Sequence, residues 1–308
     1  MSLQAHDLDN QQVENATEDV LVDRVIPGEI LVIAFGFVSW ESRPAFDFYG
    51  RLKKLEEISG RHINKILVRD SGNAWYHRKI DGLGDHPDET VESLRELVRT
   101  IAPGKVITIG QSMGAYAAIM YGLLLDAQQI IAFGPLSFLD VEQAQLYHER
   151  RWLAMMRDLE QTPPPSGYYD LAALYRDRAT AQTDMHIIFG TRPDQPKSTE
   201  SVNLDAMHAH RLAAGGSCTL YPFPYSGHAV VQHLIDTKKI NALLAGVIFD
   251  IALEPEPAPD IGVEWLAWVA ENLGLGNNPA ELVEILQQHG FSYESSIAAV
   301  TSSGAGPT

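Results

Sequence analysis

The chain has 308 residues, 45% of them hydrophobic, and a formal net charge of −17. That length is enough for one large α/β domain with a small appendage, and the apolar content, that of a globular protein with a real core, excludes disorder of the whole chain. The acidic balance argues against nucleic acid and anionic membrane surfaces as partners, because both would be repelled. The single cysteine, Cys218, makes an intrachain disulfide impossible, and no oxidising compartment is required. No apolar run approaches a membrane span and the acidic N-terminus lacks a secretory signal, so the expected location is the cytoplasm.

Residues 1–19 are polar and acidic without apolar periodicity and read as a loose arm. Asp19 to Ile26 is a candidate edge strand. Glu29 to Gly36 is a continuous apolar run, as expected of a strand buried on both faces. Phe46 to Ile58 is amphipathic and stops at Gly60, and Asn64 to Arg69 is the next strand. A polar connection follows, then a helix over 88–101 that Asp88 is expected to cap. Lys105 to Ile109 is a strand, 113–125 a helix, and Gln129 to Phe133 another strand. This alternation predicts an α/β architecture with a doubly wound, mostly parallel sheet.

Residues 136–183 break the rhythm with helical stretches (141–159, 169–178) around Pro163-Pro164-Pro165, and read as a helical cap over the sheet's carboxyl edge. The rhythm resumes with strand Met185 to Phe189, helix Leu204 to Ala214, strand Cys218 to Tyr221 and a helix over 229–249. The expected organisation is therefore a doubly wound domain over 20–252, a Pro/Glu linker over 253–260, a helical module over 261–300 and a tail over 301–308. In the module, Asn278-Pro279-Ala280-Glu281 supplies an N-cap, a first-turn proline and an acidic third position.

Gly110-Gln111-Ser112-Met113-Gly114 lies between a strand and a helix. A serine between two glycines at such a junction is a nucleophile elbow: small flanking residues let the backbone turn sharply and aim the Ser112 hydroxyl out of the sheet. An oxyanion formed there would lie near the backbone N–H of Met113, at the positive end of the helix dipole. An activated serine needs a base, and the base an orienting acid. In chain order Ser112 is followed by Asp194, in the loop after strand 185–189, and by His228, in Ser226-Gly227-His228 after the last strand. All three fall at carboxyl ends of predicted parallel strands, where open α/β sheets build sites. Asp205 is the rival acid. Asp194 is preferred because a loop directly after a strand reaches a histidine ring more readily than a helix N-terminus does. Trp75, Tyr76 and Gln111 are candidates to line the substrate pocket. Arg150-Arg151-Trp152 reads as a solvated face with one buried tryptophan. No histidine pair has metal-ligand spacing, and neither a metal nor a cofactor is expected.

Residues 29–250 resemble a compact α/β-hydrolase-fold serine hydrolase. The resemblance rests on Phe35-Gly36-Phe37, Gly110-Gln111-Ser112-Met113-Gly114-Ala115, Phe189-Gly190-Thr191-Arg192-Pro193-Asp194 and Ser226-Gly227-His228-Ala229-Val230. It implies Ser112 as nucleophile, His228 as general base, and an oxyanion hole from the backbone N–H groups of Met113 and of Phe37 or its neighbour. Arg69-Asp70, Trp75-Tyr76 and Ala132-Phe133-Gly134-Pro135 are similar to small hydrolase-like proteins of bacterial surface-polysaccharide gene clusters. The run from Trp268 to Phe291 resembles a helical module of bacterial cupin-like oxygenases, which implies interaction rather than catalysis. The expected function is cleavage of a carboxylic ester or thioester through an acyl-enzyme on Ser112. An acyltransferase with the same triad, or a silent scaffold, is the alternative. Three short helices are marginal alone, so 261–300 is expected to dock onto the larger domain, a second copy or a protein partner.

Overall fold

A computed structural model of the protein describes residues 8–23, 25–40, 42–161, 167–180, 182–191, 204–223, 226–252, 261–288, 291 and 293–304. The chain divides into two compact units, Met1–Phe189 with Pro193–Pro222, and Gly190–Arg192 with Phe223–Thr308. The stretch from Phe223 to 252, expected within the doubly wound domain, groups with the C-terminal helices in that division.

The first unit is built on a sheet of seven strands: β1 Val20–Asp23, β2 Ile30–Phe35, β3 Ile63–Val68, β4 Lys105–Gln111, β5 Gln129–Phe133, β6 Asp184–Gly190 and β7 Cys218–Phe223. Their spatial order is β1-β3-β2-β4-β5-β6-β7. β3, β2, β4, β5 and β6 run parallel, and β1 pairs antiparallel at the edge. β2 and β5 read as near-continuous apolar runs because helices cover both sheet faces. Lys65 is fully buried in β3, where its ammonium donates to Asp23 (3.1 Å), Glu56 (2.9 Å) and the Ile63 carbonyl (2.9 Å), so no charge is left without a partner.

The helices α1 Asn10–Asn15, α2 Tyr49–Ser59, α3 Pro87–Ile101, α4 Met113–Leu124, α5 Val141–Leu146, α6 Leu153–Glu160, α7 Leu171–Arg178 and α8 Leu204–Gly215 complete the first unit. Every residue of α4 is buried, which its sequence of alanines, tyrosines and aliphatic residues permits. Three expectations need correction. Residues 8–19 are not a loose arm throughout: Asp9 and Gln12 form a reciprocal capping box that starts α1, and Leu8 is buried. Asp88 is not the cap of α3; the helix begins at Pro87, whose missing N–H costs nothing at a first position. Where one helix was expected over 229–249 there are two, α9 Val230–Asp236 and α10 Ile240–Phe249, parted at Lys238, which sits at φ 55°.

In the second unit α11 Val263–Gly274, α12 Pro279–Gln288 and α13 Tyr293–Gly304 bury Val269, Leu282, Leu286, Phe291, Ala299 and Val300 against one another. The module therefore has a small core of its own. Among the described residues no helix is long and apolar enough to cross a membrane.

Candidate active site

The junction between β4 and α4 is as tight as a backbone allows. Ser112 has φ 51° and ψ −117°, a region a residue with a side chain rarely adopts. Its backbone N–H donates to the Phe133 carbonyl (2.9 Å) and its carbonyl accepts from Tyr116 (3.1 Å), so the strained residue is pinned from the neighbouring strand and the first helical turn. A Cβ on Gly110 would lie 2.2 Å from the Gly114 carbonyl oxygen, and one on Gly114 2.2 Å from the Phe35 carbonyl oxygen and 2.9 Å from that of Gly36. The two glycines are thus required by contact: only without side chains can the helix start fold back on β4 and rest on the end of β2. Gly114→Ala is expected to lower stability by at least about 2 kcal/mol, because the opposing atoms are backbone and cannot yield. Denaturant unfolding of the variant measures this, and an unchanged midpoint would contradict the packing.

Ser112 is half-buried and Met113 opens α4. The backbone N–H of Met113 is among those a helix leaves without an internal acceptor, at its positive end. Phe35 is paired with Gly110, so the chain that follows, Gly36 to Ser39, leaves the sheet beside the elbow. Both backbone segments expected to supply oxyanion donors therefore meet at the carboxyl edge of β2 and β4. The Phe37 side chain is 38% exposed there.

Trp75 and Tyr76 are fully buried in the main core. They sit at φ 54° and 62°, held by a knot in which the Asp70 carboxylate accepts from the backbone N–H groups of Gly72 (3.0 Å), Ala74 (2.7 Å) and Tyr76 (2.8 Å). The Tyr76 hydroxyl then donates to the Gly36 carbonyl (2.8 Å), and the Asn73 side-chain amide both donates to the Ser39 carbonyl (2.7 Å) and accepts from its N–H (3.1 Å). Segment 70–76 is thus a brace under the loop that bears Phe37. The Trp75 indole packs edge-on to Tyr116 and Trp152.

Gln111, half-buried at the end of β4, has its side chain beside the Asp47 carboxyl. Burial pushes the pKa of Asp47 up to about 6, against the pull of the Phe48 N–H and Gln111. A carboxyl whose pKa is higher in the folded chain stabilises the fold only while protonated: that contribution is complete below about pH 4 and is lost as the pH rises through 6. Asp47→Asn is therefore expected to raise stability by about 1–2 kcal/mol at pH 8 and to match the parent at pH 4, read from unfolding curves at both values. An equal effect at the two pH values would contradict the assignment.

His228 lies in the second unit, half-buried in the segment between β7 and α9. A Cβ on Gly190, the last residue of β6, would lie 2.1 Å from the Ser226 carbonyl oxygen and 2.2 Å from that of Gly227. The backbone that carries His228 is thus packed directly against Gly190 of the same unit, and Thr191 donates to the Phe223 carbonyl (3.0 Å). Asp194 lies outside the described residues.

Asp205, the rival acid, is buried near the start of α8, and its carboxylate accepts from the Arg151 guanidinium at 2.8 Å. Arg151 belongs to a network that sequence reasoning missed. It also grips Glu149 (2.7 Å), and Glu149 accepts from His208 Nε2 (3.2 Å). His208 Nδ1 accepts from the Ser137 backbone N–H (3.0 Å), which leaves the ring proton on Nε2 for Glu149. Burial raises the Glu149 carboxyl, but the donors from His208 and Arg151 outweigh it and hold the pKa at about 2. Burial likewise keeps His208 below its ordinary value, so the imidazole is neutral. Ser137, His208 and Glu149 mimic a catalytic relay, yet all three are completely buried, where no substrate reaches the hydroxyl. The reading of Arg150 to Trp152 as a solvated face needs correction at Arg151, which the two carboxylates draw inward. Arg211, one helical turn beyond His208, pairs with Asp170 at 2.6 Å. Asp205, His208 and Arg211, at i, i+3 and i+6, put three polar anchors on one face of α8 and fasten it to the segment 137–170. The signal in the sequence was the spacing of those three residues.

The mostly parallel sheet with its helices and the strained serine at the β4–α4 turn define an α/β-hydrolase fold. No protein-family model matches the chain, and no curated protein matches it in sequence. Solved structures do match. A mutant of the capsule O-acetyltransferase of Neisseria meningitidis serogroup A, in complex with CoA, aligns over 72% of this chain and 90% of its own, at 12% identity and a TM-score of 0.50. The glycosylation-associated Gap123 complex of Streptococcus agalactiae aligns over 76% of this chain and 45% of its own, at 16% identity and a TM-score of 0.50. A fluorophosphonate-binding serine hydrolase of Staphylococcus aureus, substrate bound, aligns over 72% and 82%, at 14% identity and a TM-score of 0.44.

Proposed function

We propose that the protein is a serine hydrolase that cleaves a carboxylic ester or thioester through an acyl-enzyme on Ser112. The observation that carries this reading is the backbone of Ser112, held at φ 51° and ψ −117° between two glycines that admit no side chain. Strain of this kind persists only where the surroundings impose it, and here it raises a half-buried hydroxyl at the N-terminus of a buried helix. In the proposed reaction His228 takes the Ser112 proton as the oxygen attacks the acyl carbon. The oxyanion is met by the N–H groups of Met113 and of Phe37 or its neighbour, and His228 returns the proton to the leaving alcohol or thiol. Water, activated by the same imidazole, then releases the acid. Asp194 is assigned the role of holding the imidazole and stabilising its charged form.

The acyl-enzyme does not itself choose its acceptor. The neighbour named as an O-acetyltransferase makes an alcohol the acceptor to test beside water. Hydrolysis of p-nitrophenyl acetate and of an acyl thioester, with and without added alcohols, tests both. Free acid as the main product throughout supports the hydrolase. Ester formed in proportion to alcohol, with unchanged p-nitrophenol release, would assign a transferase. No release above that of a His228→Ala variant would remove the catalytic reading.

A further inference from the structure

The C-terminal module has a cavity of about 370 Å³ lined by Glu264, Trp265, Trp268 and Ile285. The two indoles stand edge to face with centroids 5.5 Å apart, and Trp265 also packs edge-on with Phe291, at 5.5 Å. The volume is at the lower end of those that hold small ligands or single side chains. It is lined by two indoles, one aliphatic side chain and one carboxylate. That combination suits an alkyl chain that ends in a positive charge: the chain packs on indole and Ile285, and the charge pairs with Glu264 beside the aromatic rings.

The surrounding charge points the same way. After Lys239 the chain contains no lysine or arginine and nine aspartates and glutamates. Glu264, Glu271, Glu281 and Glu284 are exposed on α11 and α12. A field of one sign draws in an oppositely charged partner and repels its own kind, so with −17 on every copy a second copy of this chain is disfavoured as the occupant.

We infer that α11 and α12 form a docking site for a basic segment of another protein, one of whose lysine or arginine side chains enters the cavity between Trp265, Trp268 and Glu264. The inference does not depend on the reaction at Ser112, and its test leaves that reaction untouched. The full-length protein is titrated calorimetrically at 150 mM salt with a Gly/Ser-spaced tetralysine peptide, the same peptide acetylated on its lysines, and its glutamate counterpart. Saturable binding of the lysine peptide alone is expected, weakened about tenfold by Glu264→Gln and by Trp268→Leu. Glu264 is exposed, so its substitution decides the matter even if Trp268→Leu loosens the module. Absence of saturable binding overturns the inference. So does binding that neither substitution alters, which would be diffuse attraction to an acidic chain, or concentration-dependent self-association abolished by Trp268→Leu.

Discussion

Ser112→Ala is expected to abolish ester turnover, by a factor of about 10³ to 10⁶, while leaving the fold intact. The alanine removes only the hydroxyl, and the backbone strain at φ 51° stays. A second substitution separates chemistry from architecture. Ser112→Gly loses the same activity but relaxes the strain, because glycine adopts this region freely. It should unfold later than Ser112→Ala by about 1–3 kcal/mol. Parallel activity assays and denaturant curves on the two variants read both effects. If the glycine variant were no more stable than the alanine variant, the residue would not be held in a strained turn. If both kept full turnover, the nucleophile would lie elsewhere.

Glu149→Ala is expected to lower stability by about 3–5 kcal/mol, more than any surface substitution in the chain. Its carboxylate is completely buried and accepts from both Arg151 and His208, so truncation leaves a guanidinium and an imidazole N–H facing a void. Glu149→Gln keeps an acceptor for His208 and fills the space, and should lose less than half as much. The same residue contributes to acid sensitivity. A carboxyl held at about 2 when folded stabilises the protein fully above its unfolded value near 4.5, and this is lost as the pH falls from there towards 2. The parent should therefore lose stability over that window more steeply than Glu149→Gln does. Equal pH dependence of the two, or an alanine variant as stable as the parent, would contradict the buried network.

Most of the sheet was legible because its strands announce themselves physically. β2, β4 and β5 are short apolar runs closed by glycine or followed by a turn, and the elbow glycines mark a place where backbone meets backbone. The brace at Asp70 to Tyr76 was not legible in that sense. Aromatic residues in a polar connection suggested a pocket lining, whereas their left-handed backbone and the three N–H groups collected by Asp70 make them a support for the Gly36–Ser39 loop. The network around Arg151 was hidden for a related reason. The spacing of Asp205, His208 and Arg211 marks one helix face but not its partners, because pairing across some 50 positions, as Arg151 with Asp205, leaves no trace of its own, and two adjacent arginines next to a tryptophan look like an exposed face until a partner is known. The break at Lys238 was missed because a lysine in the left-handed region carries no glycine or proline signal. The residues expected to do chemistry divide in the same way: the position of Ser112 follows from local turn geometry, while the choice between Asp194 and Asp205 depends on a loop.

Whether Ser112 is the activated nucleophile proposed above is decided by covalent labelling. The folded protein is incubated with a fluorophosphonate probe at pH 8 and digested, and the modified peptide is sequenced by mass spectrometry. One adduct is expected, on Ser112 within Gly110–Gly114, absent from Ser112→Ala and slowed at least about a hundredfold in His228→Ala, whose serine has no base. A folded protein that stays unlabelled, or one labelled at a serine other than Ser112, would contradict it.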